Sequence, residues 1–251
     1  MRLFIEHRTD YRFSEPQARL IQLLRMTPAS HAGQNVVDWR IDVDCDARLK
    51  PGRDGFGNET QMLYINGPID RICLTVTGEV VTEDRAGMIA GTAEPLPPEV
   101  FLQKTPCSAA DTAIRDFAAG LAAAGGSRLS QVHRLNEALH ARLTLDPGRR
   151  RGDRDAATTF AQGHGAFTDL AHVFIAAARS LGVPARYVSG HVLRSNASDE
   201  LHEVAHGWAE AHLDDMGWIA FDPSTGRCPD DAYVRVAIGL DYRDAAPLSG
   251  A

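Results

Sequence analysis

The chain has 251 residues, 44% of them hydrophobic and 24% charged, the balance of an ordinary globular protein able to bury one large core or two smaller ones. Its net charge of −7 leaves no electrostatic footprint for DNA, RNA or an anionic membrane surface, and no stretch is apolar for long enough to cross a bilayer. Neither nucleic acid nor membrane is therefore expected as a partner. Four cysteines, Cys45, Cys73, Cys107 and Cys228, lie far apart with no CxxC pair, which fits neither a zinc ribbon nor a disulfide framework and suits a reducing, cytoplasmic setting.

Residues 1–13 carry no continuous apolar run, so no signal peptide is expected; instead Leu3, Ile5, Tyr11 and Phe13 fall on one side of an alternating segment. The first eighty or so residues read as strands. Val37, Trp39, Ile41, Val43 and Cys45 alternate with Asp38, Arg40, Asp42 and Asp44, the period-two pattern of a sheet with one face in a core and one in water. Ile72, Leu74 and Val76 repeat it. Between them Asp54-Gly55-Phe56-Gly57-Asn58 is a turn, its glycines and Asn58 suited to positive φ. Pro95-Leu96-Pro97-Pro98 breaks the strand pattern and marks a linker. The expected division is a β-rich domain over 1–94, a linker over 95–107 and a second domain over 108–251.

Helical spacing begins beyond the linker. Ser108 with Asp111 resembles a capping box, and Ile114, Phe117, Ala118 and Leu121 share one face before Gly125-Gly126 ends the run. A second helix follows Ser130, with Val132, Leu135 and Leu139 as its apolar stripe and His133 and His140 at its surface or boundary. Arg149-Arg150-Arg151 follows Pro147-Gly148 and is diluted by Asp153 and Asp155, the composition of a solvated loop. A third helix runs from about Thr168 to Ser180, with Gly182 as its C′ residue and Pro184 just beyond. Ala185 to Gly190, Ala205 to Leu213 and Gly217 to Pro223 then read as strands.

Four segments carry the chemistry: Gly165-Ala166-Phe167-Thr168-Asp169-Leu170-Ala171-His172, Gly182 to Gly190, His206-Gly207-Trp208-Ala209-Glu210, and Gly217 to Ser224 with Asp222-Pro223 at its end. Together they resemble the transglutaminase-like superfamily, whose motifs are G-V-C-x-D-x-A-H, G-[IV]-P-A-R-Y-V-S-G, H-A-W-x-E and G-W-x-x-[FI]-D-P-[ST]. The first half is similar to the β-rich N-terminal region of bacterial members in its D-x-F-G-N turn, in Leu24-Arg25-Met26-Thr27-Pro28 and in Pro95-Leu96-Pro97; Tyr233 to Gly239 is a usual C-terminal phrase. The resemblance implies an α+β fold: an N-terminal antiparallel β-sandwich-like domain, then a papain-like domain of helices packed on an antiparallel sheet.

It also implies a papain-like mechanism, in which a cysteine at a helix N-terminus, ionised by the helix dipole and an imidazole, attacks an amide carbonyl and leaves an acyl-enzyme. His206 and Asp222 match the base and its orienting acid. Counting from Asp169 and His172, the cysteine position holds Phe167, which cannot ionise, attack or donate a hydrogen bond. Thr168 departs from the usual glutamine and Ala166 from valine. Thr168, Asp169 and Trp208 are the expected substrate-side residues. Cys107 and Cys228 are the remaining thiols beyond the first half, without a positional argument for replacing the nucleophile. His206 and Asp222 are either a retained dyad or a structural hydrogen bond.

His202-Glu203-Val204-Ala205-His206 is also a literal HExxH, with His212 in the place of a third zincin ligand. That chemistry needs the two histidines one helical turn apart; on a strand they would be separated by about 13 Å at ~3.3 Å per residue, too far to share one ion. No metal or other cofactor is expected. The expectation is a pseudoenzyme that binds a peptide, an amino-acid conjugate or a protein partner in a papain-like cleft. The alternatives are an amide hydrolase or amide-forming enzyme with His206 and Asp222 as general base, and a zinc metallohydrolase through His202, Glu203 and His206.

Overall fold

Two very long strands organise the first half: β1 (Arg2–Leu24), then β2 (Gln34–Val43), β3 (Ala47–Arg53) and the second long one, β4 (Glu59–Thr82). The structure is a computed structural model that describes residues 1–146, 154–195 and 201–250, so Arg149-Arg150-Arg151 lies outside the described residues. β1 and β4 pair antiparallel from Arg2 opposite Val81 to Leu24 opposite Gln61, with register shifts between Arg12 and Arg19. β2 lines one end of β4 and β3 the other. Bulges bend a strand, and here the two halves of the bent sheet share one core. Leu20, Leu24, Leu63 and Ile65 from one half and Ile72, Leu74 and Val76 from the other form a single apolar cluster.

The alternation expected from Val37 to Cys45 is displaced at its start by a bulge between Val36 and Asp38. Trp39, Ile41 and Val43 pack inward, whereas Val37 is half exposed and Cys45 lies beyond the strand in solvent. The turn at Asp54 is held by side chains. The Asp54 carboxylate accepts from the Phe56 and Asn58 amides at 3.0 Å each and from Arg25 Nε at 2.8 Å. Of its residues only Gly57 has positive φ; Asn58 serves through its amide, which pairs with both the N–H and the C=O of Ile238 at 2.8 Å. The turn is thereby pinned to the second half of the molecule.

The second half contains β5 (Met88–Ile89), a 3₁₀ turn at Pro98–Leu102, α1 (Thr112–Ala122), α2 (Arg128–Arg142), β6 (Thr144–Leu145), α3 (Ala156–Gln162), β7 (His164–Gly165) and α4 (Phe167–Ser180). These are followed by β8 (Ala185–Ser195), β9 (Leu201–Leu213), β10 (Gly217–Phe221), β11 (Tyr233–Gly239), α5 (Tyr242–Ala245) and β12 (Leu248–Gly250). The second sheet is antiparallel in the order β11-β8-β9-β10-β5, and β12 returns to pair with β1 in the first sheet. The fold is α+β. No described helix is long and apolar enough to cross a membrane.

Helix boundaries follow their caps. Asp111 alone caps α1, accepting from the Ile114 amide at 2.9 Å, while Ser108 instead meets Arg179. α2 starts before Ser130, because Ser127 is its cap. α4 is buried at every residue from Thr168 to Arg179, against α1, α2 and α3 on one side and the sheet on the other. β9 is built to receive it. Gly207, Ala209 and Ala211 turn small surfaces toward the helix, and the intervening His206, Trp208 and Glu210 occupy the opposite face, as period two requires. At the far end of α4 Gly182 takes the left-handed φ of +75° expected of a C′ residue. Arg179 there donates to the carbonyls of Phe101, Ala185 and Leu240 and to Ser108 Oγ, all within 3.1 Å.

Glu210 is fully buried between two arginines: Arg186 Nε donates to it at 2.6 Å and Arg235 Nε at 2.7 Å. Arg186 lies 3.7 Å over the Trp218 ring and forks onto Glu94 at 2.7 and 3.0 Å. Burial disfavours the Glu210 carboxylate, but the charges and hydrogen bonds of Arg235 and Arg186 hold its pKa down to about 2. Removing one partner of such a group strands buried charge. Glu210→Gln is therefore expected to lower unfolding free energy by about 3–5 kcal/mol, measured by chemical denaturation; a loss below about 1 kcal/mol would contradict the assignment.

Two histidines add a pH dependence. Burial pushes His31 down to about 4, helped by the Arg235 charge, and burial likewise pushes His172 to about 4. The unfolded chain protonates both near 6.5 and so takes up protons first as the pH falls. Stability from these groups is intact above that pH and declines between 6.5 and about 4, by up to about 1 kcal/mol per pH unit for each histidine. Denaturant midpoints at pH 7.5 and 5 should differ accordingly, and equal midpoints would refute it. Glu210 contributes a further loss only below about 4.5.

Candidate functional site

α4 begins without a capping side chain at its N-cap residue. Ala166 offers no acceptor, and Asp169 Oδ2 reaches back to accept from the Ala166 amide at 3.0 Å. This close approach leaves no room at Gly165, where a Cβ would lie 2.9 Å from that of Asp169. The tight entry sets Phe167, half buried, as the first residue of the helix, facing β9.

His206 on β9 and Asp222 just past β10 are both buried, and His206 Nε2 lies 2.7 Å from Asp222 Oδ2. The same carboxylate oxygen accepts from the Tyr233 hydroxyl at 2.9 Å, and Oδ1 accepts from the Ser224 amide at 2.9 Å. Burial works against the charged carboxylate, yet the bonds from His206, Ser224 and Tyr233 outweigh it and hold Asp222 below its ordinary value. A carboxylate so held makes Nε2 the donor and leaves Nδ1 as the acceptor of the neutral ring. The Phe167 ring stands 4.8 Å from the imidazole, centroid to centroid, tilted by 54°. Trp208 stacks on His206 at 6.1 Å, and Tyr233 meets both rings edge-on.

Phe167 and His206 open onto a cavity of about 490 Å³ between the two halves of the molecule. β1 and β4 supply one wall with His7, Thr9, Tyr11 and Val76; Tyr187, Ser189, His191 and Ala205 supply the other, and Pro247 and Leu248 close it. This volume is that of a small-ligand site. Thr168, Asp169 and Trp208 do not line it. Thr168 Oγ1 lies 3.2 Å from the Tyr187 hydroxyl, which fills the space a Cβ would need at Gly207, 1.9 Å away. Asp169 caps the helix and Trp208 braces His206, so all three act on the site by holding its framework.

The remaining thiols stand apart. Cys107 and Cys228 border none of the cavity, and burial, followed by neighbouring carboxylates, pushes each up to about 11. His172 accepts the Tyr242 amide at Nε2 within the core. The zincin arrangement is not formed: residues 201–213 are one extended strand, so positions 202 and 206 sit four residues apart along it, about 13 Å. Among the described residues no group of three or more His, Cys, Asp or Glu could hold a metal ion. Tyr233 and Ser224, which complete the carboxylate's shell, escaped the sequence reading; both follow Asp222 closely in the chain, the one signal that could have found them.

Comparison with known proteins agrees with this fold. Residues 3–81 match the bacterial transglutaminase-like N-terminal region and residues 115–223 the transglutaminase-like superfamily. An uncharacterised Mycobacterium leprae protein is 27% identical across 99% of this chain and 92% of its own length; one from Mycobacterium tuberculosis is 25% identical across 98% and 86%. Among solved structures, one from Cytophaga hutchinsonii described as a candidate cysteine protease superposes with a TM-score of 0.74 at 18% identity, covering 98% of this chain and 87% of its own, a likeness of fold. The chain, with its imidazole and carboxylate joined across the β9–β10 edge and facing the start of a buried helix, belongs to the transglutaminase-like superfamily.

Proposed function

We propose that the chain is a pseudoenzyme: a transglutaminase-like scaffold that binds a peptide, an amino-acid conjugate or a protein partner in the cavity without covalent catalysis. The observation that carries this reading is the Phe167 ring against His206, at the helix start where the family's motif has its cysteine. The family route needs a thiolate there, ionised by the helix terminus and the imidazole, to attack an acyl carbon and expel the amine. A benzyl group offers no lone pair, and no described cysteine borders the cavity to supply one. What is left is a half-apolar recess with an imidazole at its wall, a surface for recognition.

Mass spectrometry after incubation with an activated ester and amide panel is expected to show no acyl adduct on the natural chain. Phe167→Cys should introduce a thiol titrating well below the ordinary value of about 8.5, and the adduct should then form at that position. A thiol titrating at its ordinary value would refute the registration of Phe167 with the nucleophile seat. A burst of product from the natural chain that disappears in His206→Ala would overturn the pseudoenzyme reading.

One observation favours a second reading. His206 opens onto the cavity with its partner Asp222 held ionised, the arrangement of a general base acting on water or an amine. Under it, amide turnover should resist iodoacetamide and fall by about 100-fold or more in Asp222→Asn. Turnover unchanged in that variant would remove this reading.

A further inference from the structure

The first sheet carries a hollow of its own, of about 470 Å³, with Arg19, Asp46, Arg48, Lys50, Tyr64 and Asn66 among its walls. It shares no residue with the large cavity. Strand register sets these side chains side by side: Arg48 of β3 stands opposite Tyr64 of β4, and Arg19 of β1 opposite Asn66. Their chain neighbours Leu20, Leu63 and Ile65 point into the core, so period two turns the polar residues to the outer face. The register shift between Gln17 and Arg19 falls at this corner, and such shifts bend a strand and sharpen its twist.

The hollow gathers positive charge that is spent nowhere else. Among the described residues, the side chains of Arg19, Arg48 and Lys50 form no ion pair and no hydrogen bond. The carboxylates that flank β3 in the chain are committed to other cations: Asp44 meets Arg71 at 3.9 Å, Asp54 holds Arg25 at 2.8 Å, and Glu59 pairs with Arg53. Three cations on the walls therefore face one acid, Asp46, a local excess of two positive charges on a chain whose net charge is −7. Arg48 and Lys50 lie two residues apart on one face of β3, about 7 Å along the strand, where like charges repel.

We infer that this hollow is a binding site for a small polar molecule carrying a phosphate monoester. Such an ester bears nearly two negative charges at neutral pH, which matches the local excess. Two guanidinium forks suit its oxygens in pairs, and a lysine adds a compact charge beside them. The Tyr64 hydroxyl, the Asn66 amide and the Asp46 carboxylate remain for hydroxyl groups on the organic part. The volume exceeds that of a bare phosphate and falls within the range of small-ligand sites. An acidic peptide would spread its charges along an extended track, whereas these three cations border a single hollow. The site stands independently of the pseudoenzyme reading.

Ribose 5-phosphate is the probe, with ribose, inorganic phosphate and a triglutamate peptide as comparisons, in titration calorimetry at pH 7.5 and low ionic strength. One saturable site is expected for ribose 5-phosphate, with weaker binding of inorganic phosphate and none of ribose. Arg48→Gln should weaken the ester by about tenfold or more, the worth of one charge-assisted hydrogen bond, and adding Arg19→Gln should abolish binding. Both side chains are exposed, so the variants should keep the melting temperature of the natural chain. Arg128→Gln removes an exposed charge on α2, outside the hollow, and should leave the affinity unchanged. No binding of the ester, tighter binding of the peptide, or equal losses in Arg128→Gln and Arg48→Gln would each overturn the inference.

Discussion

The burial of α4 along almost its whole length is the constraint on which the site depends. A helix with solvent on one side can rotate or slide by fractions of a turn; one enclosed from Thr168 to Arg179 cannot do so without disrupting packing on every side. Its two ends are tied as well, by the Asp169 carboxylate at the start and by the Arg179 guanidinium reaching three separate backbone carbonyls at the finish. The position of Phe167 over the imidazole follows from that enclosure.

β9 turns the same constraint into chemistry. Its small residues admit the helix on one face, and His206, Trp208 and Glu210 lie together on the other, where a strand places every second residue. The family segment H-x-W-x-E is therefore a single row: imidazole, brace and charge anchor. The anchor balances two buried arginines and, through Arg186, draws in Glu94 from the loop after β5. The row is held by Asp222 at His206 and by Arg186 and Arg235 at Glu210, and Phe167 meets it ring to ring at His206.

Much of this was legible in the residues. The spacing of Leu170, Val173, Phe174 and Ala177, closed by Gly182 and Pro184, announces the central helix. The pairing of His206 with Asp222 was visible only through the family's motifs, since nothing local joins a mid-strand histidine to a residue 16 positions away. Other features were hidden for physical reasons. α3 spans only seven residues, too short to display a helical period, and the bulge in β2 inserts one residue that inverts the face of Val37. The bent sheet conceals its two-layer core, because each half alternates on its own and only the fold brings the halves together. Thr168 and Asp169 read as substrate-side groups because they adjoin the nucleophile seat in sequence, yet a helix turns them inward within one residue.

The last described strand has a consequence for biosynthesis. Gln22, Leu23 and Leu24 take Gly250, Ser249 and Leu248 as neighbours, and Pro247 and Leu248 close the large cavity. A ribosome delivers these segments more than two hundred residues apart, so the first sheet waits for its edge while everything between is made. During that interval the backbone groups of Gln22 to Leu24 face an empty flank, and the large cavity lacks the side that Pro247 and Leu248 supply. The large cavity is thus complete only after Leu248 has been made, and the nascent sheet must be kept from borrowing another strand until then.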